Sequence, residues 1–310
     1  MTKKIRLSFD GQASLLVKRN LTIGDLEDCT AFLKRVNYYR FSGYARYFQL
    51  DPAYGDNTFH PSADFANIRS IYELDHELRT LCMAGLSLVE TCLRTQFAYV
   101  FSELASPYGD LFQETSFVDS PSDSPVTESI LRDLDRSREP YVEHFRNADV
   151  KNPKLISYPK MPVWAAVEVF SFGTLSRSLE RSKSQDIPKQ VAQNLDVAWS
   201  GFTSQVKSFV YLRNRCAHHS RLWNHSVIDA PHIPNNVKNR AKKAHGQFGN
   251  RSIYVILVAL DAFLSRAGLR QDLLLEVESL LLRNEEFRGG IRNPTPPKAL
   301  VKTEPVAESK

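Results

Sequence analysis

Apolar residues recur every three or four positions through most of the chain, and the longest such run lies between residues 65 and 104. Its apolar positions are Ile68, Ile71, Tyr72, Leu74, Leu78, Leu81, Cys82, Leu86, Val89, Leu93 and Phe97. This spacing places them on one face of a helix and predicts a long central helix. Shorter runs predict further helices over residues 9–23, 24–50, 127–147, 161–182, 188–197, 202–212, 252–268 and 270–287.

Polar stretches rich in proline and glycine separate these runs and predict loops over residues 51–65 and 227–250. No stretch shows the convincing alternation of a strand, so the pattern predicts an all-α bundle. We expect residues 1–60 to form an N-terminal helical extension and residues 61–287 a helical bundle with a polar insertion near 105–160. Residues 288–310 are rich in glycine, proline and charge, and we expect a disordered tail.

The composition of the 310 residues is that of a globular protein, with 42% hydrophobic and 24% charged residues. No apolar run reaches the roughly 18 residues of a membrane helix, and the start MTKKIRLSFD lacks the apolar core of a signal peptide. The four cysteines form no CxxC pair, which fits buried thiols in a reducing cytosol. We therefore expect a cytoplasmic protein without a membrane partner. The net charge of +5 favours an anionic binding partner.

The candidate chemistry lies in the stretch YLRNRCAHHSRLWN, residues 211–224, directly after the apolar run FTSQVKSFVYL. Arg213 and His218 are five positions apart, and Asn214 follows the arginine. Five positions correspond to about 140° around a regular helix. The two side chains therefore share a site only if the helix ends, bends, or meets a second copy of itself.

These residue types suit the cleavage of RNA. A histidine with a pKa near ~6.5 can take a proton from a ribose 2′-hydroxyl. An arginine can hold the phosphate and offset the charge that grows on it. Asn214 can fix a phosphate oxygen or orient the histidine. Such a set suffices for metal-independent cleavage that leaves a 2′,3′-cyclic phosphate, and DNA would be spared because it lacks the hydroxyl.

Two other interpretations remain open from the residues alone. Basic residues are favoured at a helix C-terminus by the macrodipole and the unpaired carbonyls, with no ligand required. A zinc site is the second alternative, but its spacings match no standard ligand pairs and a second cysteine is missing nearby. Its candidate ligands are Cys216, His218, His219, His225 and His232.

Four stretches resemble, in order, the blocks of abortive-infection (Abi-like) proteins of the AbiD/AbiF type. They are VNYYRFSGYARYF, LRTLCMAGLSLVETCLRTQFA, MPVWAAVEVFSFGTLSRSL and LRNRCAHHSRLWN, and the resemblance covers residues 5–285. Such proteins belong to the HEPN group of helical-bundle ribonucleases, marked by an R-x(4–6)-H motif. The resemblance implies an HEPN-like bundle and a phage-defence or toxin ribonuclease, with Arg213, Asn214 and His218 as its catalytic residues.

The resemblance also implies partners. HEPN proteins usually dimerise so that two motifs face one cleft, which would resolve the angular mismatch between Arg213 and His218. We therefore expect a homodimer acting on an RNA substrate, with no metal and no other cofactor. By analogy with relatives encoded beside a small structured RNA, such an RNA is a further expected partner.

Several other residues are candidates for holding RNA. Glu90 and Arg94, four positions apart, interrupt the apolar stripe of the long helix and either brace it or line the cleft. Glu168 is predicted to be a buried structural acid. His219 is a candidate second proton carrier or a structural hydrogen-bond partner. The remaining candidates to contact the RNA backbone are Arg215, Arg221, Lys242 and Lys243.

The sequence thus supports two hypotheses from different classes. The first is an HEPN-type endoribonuclease of a phage-defence or toxin–antitoxin system. The alternative is a catalytically silent RNA-binding or sensor module of such a system. The two hypotheses differ in the expected effect of removing the His218 imidazole. An enzyme would lose its cleavage activity, whereas a silent module would show no cleavage even in the wild-type protein.

Overall fold

The computed structural model describes residues 5–118, 124–148, 156–158, 160–228 and 230–295. Within these ranges the chain is mostly helical, which confirms the predicted all-α class. The helices are α1 Phe9–Lys18, α2 Leu26–Arg35, α3 Tyr38–Ala45, α4 Phe65–Leu104, α5 Val126–Arg136, α6 Pro140–Phe145, α7 Val163–Ala166, α8 Phe172–Glu180, α9 Asp186–Asn194, α10 Phe202–Ala217, α11 Asn235–His245, α12 Ile253–Arg266, α13 Leu273–Leu281 and α14 Glu285–Arg292.

The predicted central helix is α4, an uninterrupted helix of 40 residues. Two short antiparallel strand pairs accompany the helices; β1 begins within the predicted helix 24–50 and β3 at the end of the predicted helix 127–147, so these two ends were wrongly predicted as helical. β1 Gln49–Asp51 pairs with β2 Asp56–Phe59, and β3 Asn147–Ala148 pairs with β4 Ile156–Ser157. Gly55, in the turn between β1 and β2, has a φ of +92°, a conformation that other residues rarely adopt.

Several predicted helix boundaries were wrong. The predicted helix over 161–182 is broken, because a 3₁₀ turn at Val167–Val169 ends the first piece and Ser171 caps a new helix, α8. Pro140 similarly separates α5 from α6 within the predicted run 127–147. Residues 227–250, predicted as loop, contain α11. The helix α14 continues to Arg292, past the predicted end of the bundle at 287.

The chain divides into two compact units. Among the described residues, the first comprises 5–78, 221–226 and 279–295, and the second comprises 79–220 and 227–278. The helix α4 contributes to both. The sequence-based division at residues 60 and 287 stays a prediction.

In the first unit, the buried carboxylate of Asp75 holds the segment that follows the motif. It accepts hydrogen bonds from the Tyr44 hydroxyl at 2.5 Å and from the backbone amide of Trp223 at 2.9 Å, and the Leu222 amide lies 3.2 Å away. The Trp223 indole stacks on Tyr44 and donates to the carbonyl of Glu286 at 3.0 Å. A single acid thus anchors a stretch without regular secondary structure, because it satisfies amides that would otherwise be buried unpaired.

The second unit is built around α10, which packs against α8 and α12. Its buried residues are Phe202, Gln205, Val206, Ser208, Phe209, Leu212 and Cys216. This stripe follows the helical period, so the face that carries Arg213 is left partly open to solvent. The packing of α10 therefore determines which way the motif points.

The acid Asp133 joins α5 to the start of α8 in the same unit. Its carboxylate accepts from the Ser171 amide at 2.9 Å, the Thr174 hydroxyl at 2.5 Å and the Arg136 guanidinium at 2.7 Å. Burial raises the pKa of Asp133, but these hydrogen bonds outweigh burial and leave its pKa below the ordinary value.

The first prediction concerns the close contact between α14 and Trp223. A methyl group added at Gly290 would overlap the Trp223 indole, whereas one added at Gly289 meets nothing within 4 Å. We expect Gly290→Ala to lower the free energy of unfolding by about 1–3 kcal/mol. The matched control Gly289→Ala should raise it by about 0.5–1 kcal/mol, since alanine favours the helix. Urea unfolding measures both, and equal effects would contradict the contact.

The second prediction concerns Asp133. We expect Asp133→Asn to lower the free energy of unfolding by about 1.5–3 kcal/mol at pH 7, because it removes a charged hydrogen-bond acceptor. Since the folded pKa is depressed, the stabilisation is present above the unfolded pKa of about 3.9 and is lost as the pH falls through the folded pKa. Urea unfolding between pH 7 and pH 3 should show the free energies of unfolding of wild type and Asp133→Asn approaching each other as the pH falls. A difference that stays constant with pH would contradict the role of the charge.

Candidate functional site

The helix α10 ends at the motif itself. His218 is its C-cap, the Ser220 amide donates to the Arg215 carbonyl at 2.8 Å, and the His219 amide donates to the Cys216 carbonyl at 3.0 Å. These two bonds form a Schellman motif, in which the residue after the cap takes the left-handed conformation. His219 does so, with a φ of +53°. The helix thus continues through Ala217, and the His218 amide still donates to the Asn214 carbonyl at 3.0 Å, so a site shared by Arg213 and His218 within one chain stays a prediction.

Arg213 is held by a carboxylate from the long helix. Its Nη2 lies 3.4 Å from Oε2 of Glu90, and its side chain is 30% exposed. Glu90 is only 13% exposed and also contacts Arg94, whose Nη2 lies 2.5 Å from Oε1. Two guanidinium groups thus share one carboxylate, and the three groups carry a net charge of about +1 at neutral pH.

Arg94 is a structural brace. Its guanidinium donates to the carbonyls of Val167 at 3.3 Å and Phe170 at 2.7 Å, and also to that of Glu168. These carbonyls lie at the end of a helical turn, where they lack partners within the helix. The side chain of Glu168 is exposed, so its prediction as a buried acid was wrong: the 3₁₀ turn buries Val167 and directs Glu168 to solvent.

The other polar residues of the motif have different contacts from those of Arg213. The Asn214 Oδ1 accepts from Nη1 of Arg213 at 3.2 Å, so this amide orients the arginine. The Arg215 guanidinium lies over the Tyr211 ring, 5.8 Å from its centroid. Both His218 and His219 are exposed, and the imidazole of His218 forms no hydrogen bond with the residues that the structure describes.

The basic candidates downstream lie on α11, which packs against α12. Lys243 is exposed, while the Lys242 ammonium lies 5.5 Å from the centre of the Phe248 ring. The R-x4-H spacing recurs on this helix as Arg240 and His245, a repetition that the sequence shows directly. The His245 ring lies 4.0 Å from a carboxylate oxygen of Glu278.

Arg221 belongs to the first unit. Its guanidinium donates to the Tyr47 hydroxyl at 3.0 Å and to the carbonyl of Gly43, and lies 4.7 Å from the centre of the Tyr47 ring. These contacts engage the Arg221 side chain in packing against Tyr47. Asp75, which anchors the residues just after Arg221, was not predicted as a functional residue, although the sequence shows this acid within the apolar stripe of α4.

No cluster of three or more histidine, cysteine, aspartate or glutamate side chains suited to a metal occurs among the described residues. The four cysteines are free thiols, and Cys216, within the motif, is buried. What the described site offers is a positioned guanidinium, a second one behind it, and an exposed imidazole at the end of the same helix.

The third prediction tests the strained conformation of His219. Residues with a side chain lose about 1–2 kcal/mol in the left-handed region, and glycine does not. We expect His219→Gly to raise the free energy of unfolding by about 1 kcal/mol. The matched change at the preceding residue, His218→Gly, where φ is −89°, should bring no such gain. Guanidinium unfolding distinguishes the two, and a loss of stability in His219→Gly would contradict the assignment.

Comparison with known proteins supplies the family. A family profile described as Abi-like protein matches residues 31–224, which include Glu90, Arg94 and the Arg213–His218 motif. Neither the curated proteins nor the solved structures give a significant match. Among the described helices, none combines the length and apolarity of a membrane-spanning segment. Because the profile covers more than half of the chain, the protein belongs to the Abi-like family, which indicates a role in abortive infection, a defence against phage.

Proposed function

We propose that the protein is a metal-independent endoribonuclease of the HEPN type that acts in the cytoplasm during abortive infection. The observation that carries this proposal is the arrangement at the end of α10. Arg213 is oriented by Glu90 and Asn214, and five positions later the exposed His218 ends the same helix. A guanidinium charge and a solvent-exposed imidazole that can accept a proton are thus both found at the end of α10.

The chemistry follows from these groups. His218 takes the proton of a ribose 2′-hydroxyl, and the 2′-oxygen attacks the adjacent phosphorus. The bond between phosphorus and the 5′-oxygen then breaks, and that oxygen receives a proton. The products are a 2′,3′-cyclic phosphate and a 5′-hydroxyl. Arg213 offsets the additional negative charge on the pentacoordinate phosphorus.

Glu90 contributes by restricting Arg213. A long arginine side chain in solution samples many rotamers, and its ordering costs up to about 2 kcal/mol. The contacts with Glu90 and Asn214 hold the guanidinium before RNA binds. Preorganisation of this kind favours the transition state, because the donor needs little rearrangement as charge develops.

The reaction needs an acid as well as a base, and a second copy of the chain would supply it. We infer a homodimer in which the His218 imidazoles of two protomers serve one cleft, one accepting and the other donating a proton. Arg215, Lys242 and Lys243 are proposed to contact the RNA backbone, and His219 to support the helix end. A small structured RNA that restrains the enzyme is a further proposed partner.

A catalytically silent RNA-binding or sensor module is the second candidate. One observation favours it: His218 has no orienting hydrogen bond within the described chain, whereas a general base is commonly held by one. In such a module Arg213 and its neighbours would bind phosphate, and affinity would fall with salt.

The fourth prediction separates the two. We expect induced wild-type protein to arrest growth and to generate RNA ends with 2′,3′-cyclic phosphates. His218→Ala should reduce cleavage by about 10²–10⁴-fold while RNA binding persists, and Arg213→Ala should weaken both. End mapping of total RNA and filter binding measure these effects. The exposed residues His60 and Arg35 provide matched controls, as His60→Ala and Arg35→Ala.

Toxicity and RNA ends that persist in both His218→Ala and Arg213→Ala would remove these residues from catalysis. Wild-type protein that binds RNA and yields no new ends, during phage infection as well as without it, would favour the silent module.

A further inference from the structure

Three aromatic side chains and one carboxylate reach solvent around α7. Trp164 is 52% exposed and Tyr108 is 51% exposed, with their ring centroids 6.0 Å apart in an edge-to-face arrangement. The segment before Tyr108 is tied to α7 by a hydrogen bond from the Val163 amide to the Pro107 carbonyl at 3.1 Å. The rings are therefore held on a supported backbone, yet large aromatic surfaces of this kind are normally buried.

Glu168 lies beside Trp164. The two residues are four positions apart on a continuous helical segment, so their side chains emerge on the same side, about one turn apart. The Glu168 carboxylate forms neither a hydrogen bond nor an ion pair with the described residues. An acceptor group is thus available next to an exposed indole.

A third exposed ring, that of Tyr141, lies on the neighbouring helix α6. Tyr141 is 37% exposed on α6, which packs against α7. Burial, together with the charges of Glu139 and Glu168, raises the pKa of Tyr141, and Arg94 opposes them. We name Tyr108, Tyr141, Trp164 and Glu168 the aromatic rim.

The aromatic rim is connected to the candidate catalytic cluster. The guanidinium of Arg94 binds the backbone carbonyls of Val167, Glu168 and Phe170, and also the Glu90 carboxylate that holds Arg213. The backbone carbonyl of Glu168 therefore accepts a hydrogen bond from Arg94, and Arg94 shares the Glu90 carboxylate with Arg213. Arg213 and the backbone that carries the rim are thus linked through Glu90 and Arg94.

We propose that the aromatic rim binds an unpaired RNA base beside the scissile phosphate and selects a base with N–H donors, above all guanine. This inference rests on the proposed ribonuclease function and adds a sequence preference to it. The carboxylates of Glu168 and Glu139 would repel the sugar-phosphate backbone, so the rim suits a base and not a phosphate. The rings offer stacking surfaces, which are worth about 1–3 kcal/mol per base.

The preference for guanine follows from the acceptor. An ionised carboxylate only accepts hydrogen bonds and takes two parallel donors well. The Watson–Crick edge of guanine presents two adjacent donors, N1–H and N2–H. Uracil presents one N–H between two carbonyl oxygens, which a carboxylate repels. Adenine and cytosine each offer one amino group, so they should rank between guanine and uracil.

The test measures binding separately from cleavage. Octamers of 2′-fluoro RNA lack the attacking hydroxyl; one is all uridine, and the others carry a single guanosine at each position in turn. Fluorescence anisotropy at constant salt gives Kd for each. We expect wild-type protein to bind the best guanosine octamer about tenfold more tightly than the uridine octamer, within the range of one bidentate base contact.

Two variants define the roles within the rim. Glu168→Gln should bring the ratio of the two Kd values close to one. Trp164→Ala should weaken binding of all octamers by about 5–100-fold, and Trp164→Phe should restore most of it. The matched controls are Glu180→Gln, at an exposed acid ending α8, and Trp199→Ala, at a 40% exposed indole. Both should bind as wild type does, and thermal melts should show all variants folded.

Unchanged Kd values in Glu168→Gln and Trp164→Ala would overturn the inference, as would a wild-type protein that binds none of the octamers. A changed sedimentation coefficient in Trp164→Ala with unchanged RNA affinity would also overturn it, and would identify the rim as a protein interface. The failure of the proposed function has a different signature, namely a guanosine preference in binding without any new RNA ends in cells.

Discussion

The Glu90 carboxylate is the group on which the arrangement of the site depends. It lies beside the mostly apolar stripe of α4 and is only 13% exposed, a position where an isolated charge would be costly. Two guanidinium groups compensate it, and each comes from a different helix. The acid consequently fixes the position of Arg213 on α10 and of Arg94 on its own helix. Loss of either partner would leave a poorly solvated charge, which is why such clusters hold their geometry.

Acids hold irregular backbone elsewhere in the protein by the same principle. Asp75 accepts from the amides of Leu222 and Trp223, and Asp133 accepts from the Ser171 amide and the Thr174 hydroxyl at the start of α8. Arg94 does the converse by donating to carbonyls after α7. Chain segments that lack regular hydrogen bonding are thus positioned by charged groups, since buried backbone amides and carbonyls need partners.

The sequence predicted the elements whose determinants are local. The apolar stripe of α4 extends over many turns, so its period was sufficient, and the basic cluster marked the end of α10. The helix α11 was missed because only Val237 and Ala241 anchor it among polar residues. The break before α8 depends on Ser171 as a cap, which the apolar pattern conceals. Asp75 and Glu90 each also bind a partner more than 100 positions away, Trp223 and Arg213, and no local pattern contains these pairs.

The central claim is that the ribose 2′-hydroxyl attacks the phosphate with help from Arg213 and His218. The most direct measurement uses purified protein and an RNA in which one nucleotide, 5′ of a mapped cleavage position, is replaced by its 2′-deoxy form. The account predicts that cleavage at that bond disappears, that other bonds are still cut, and that EDTA changes neither result. Continued cleavage at the deoxy position would contradict it, because attack would then come from a different nucleophile.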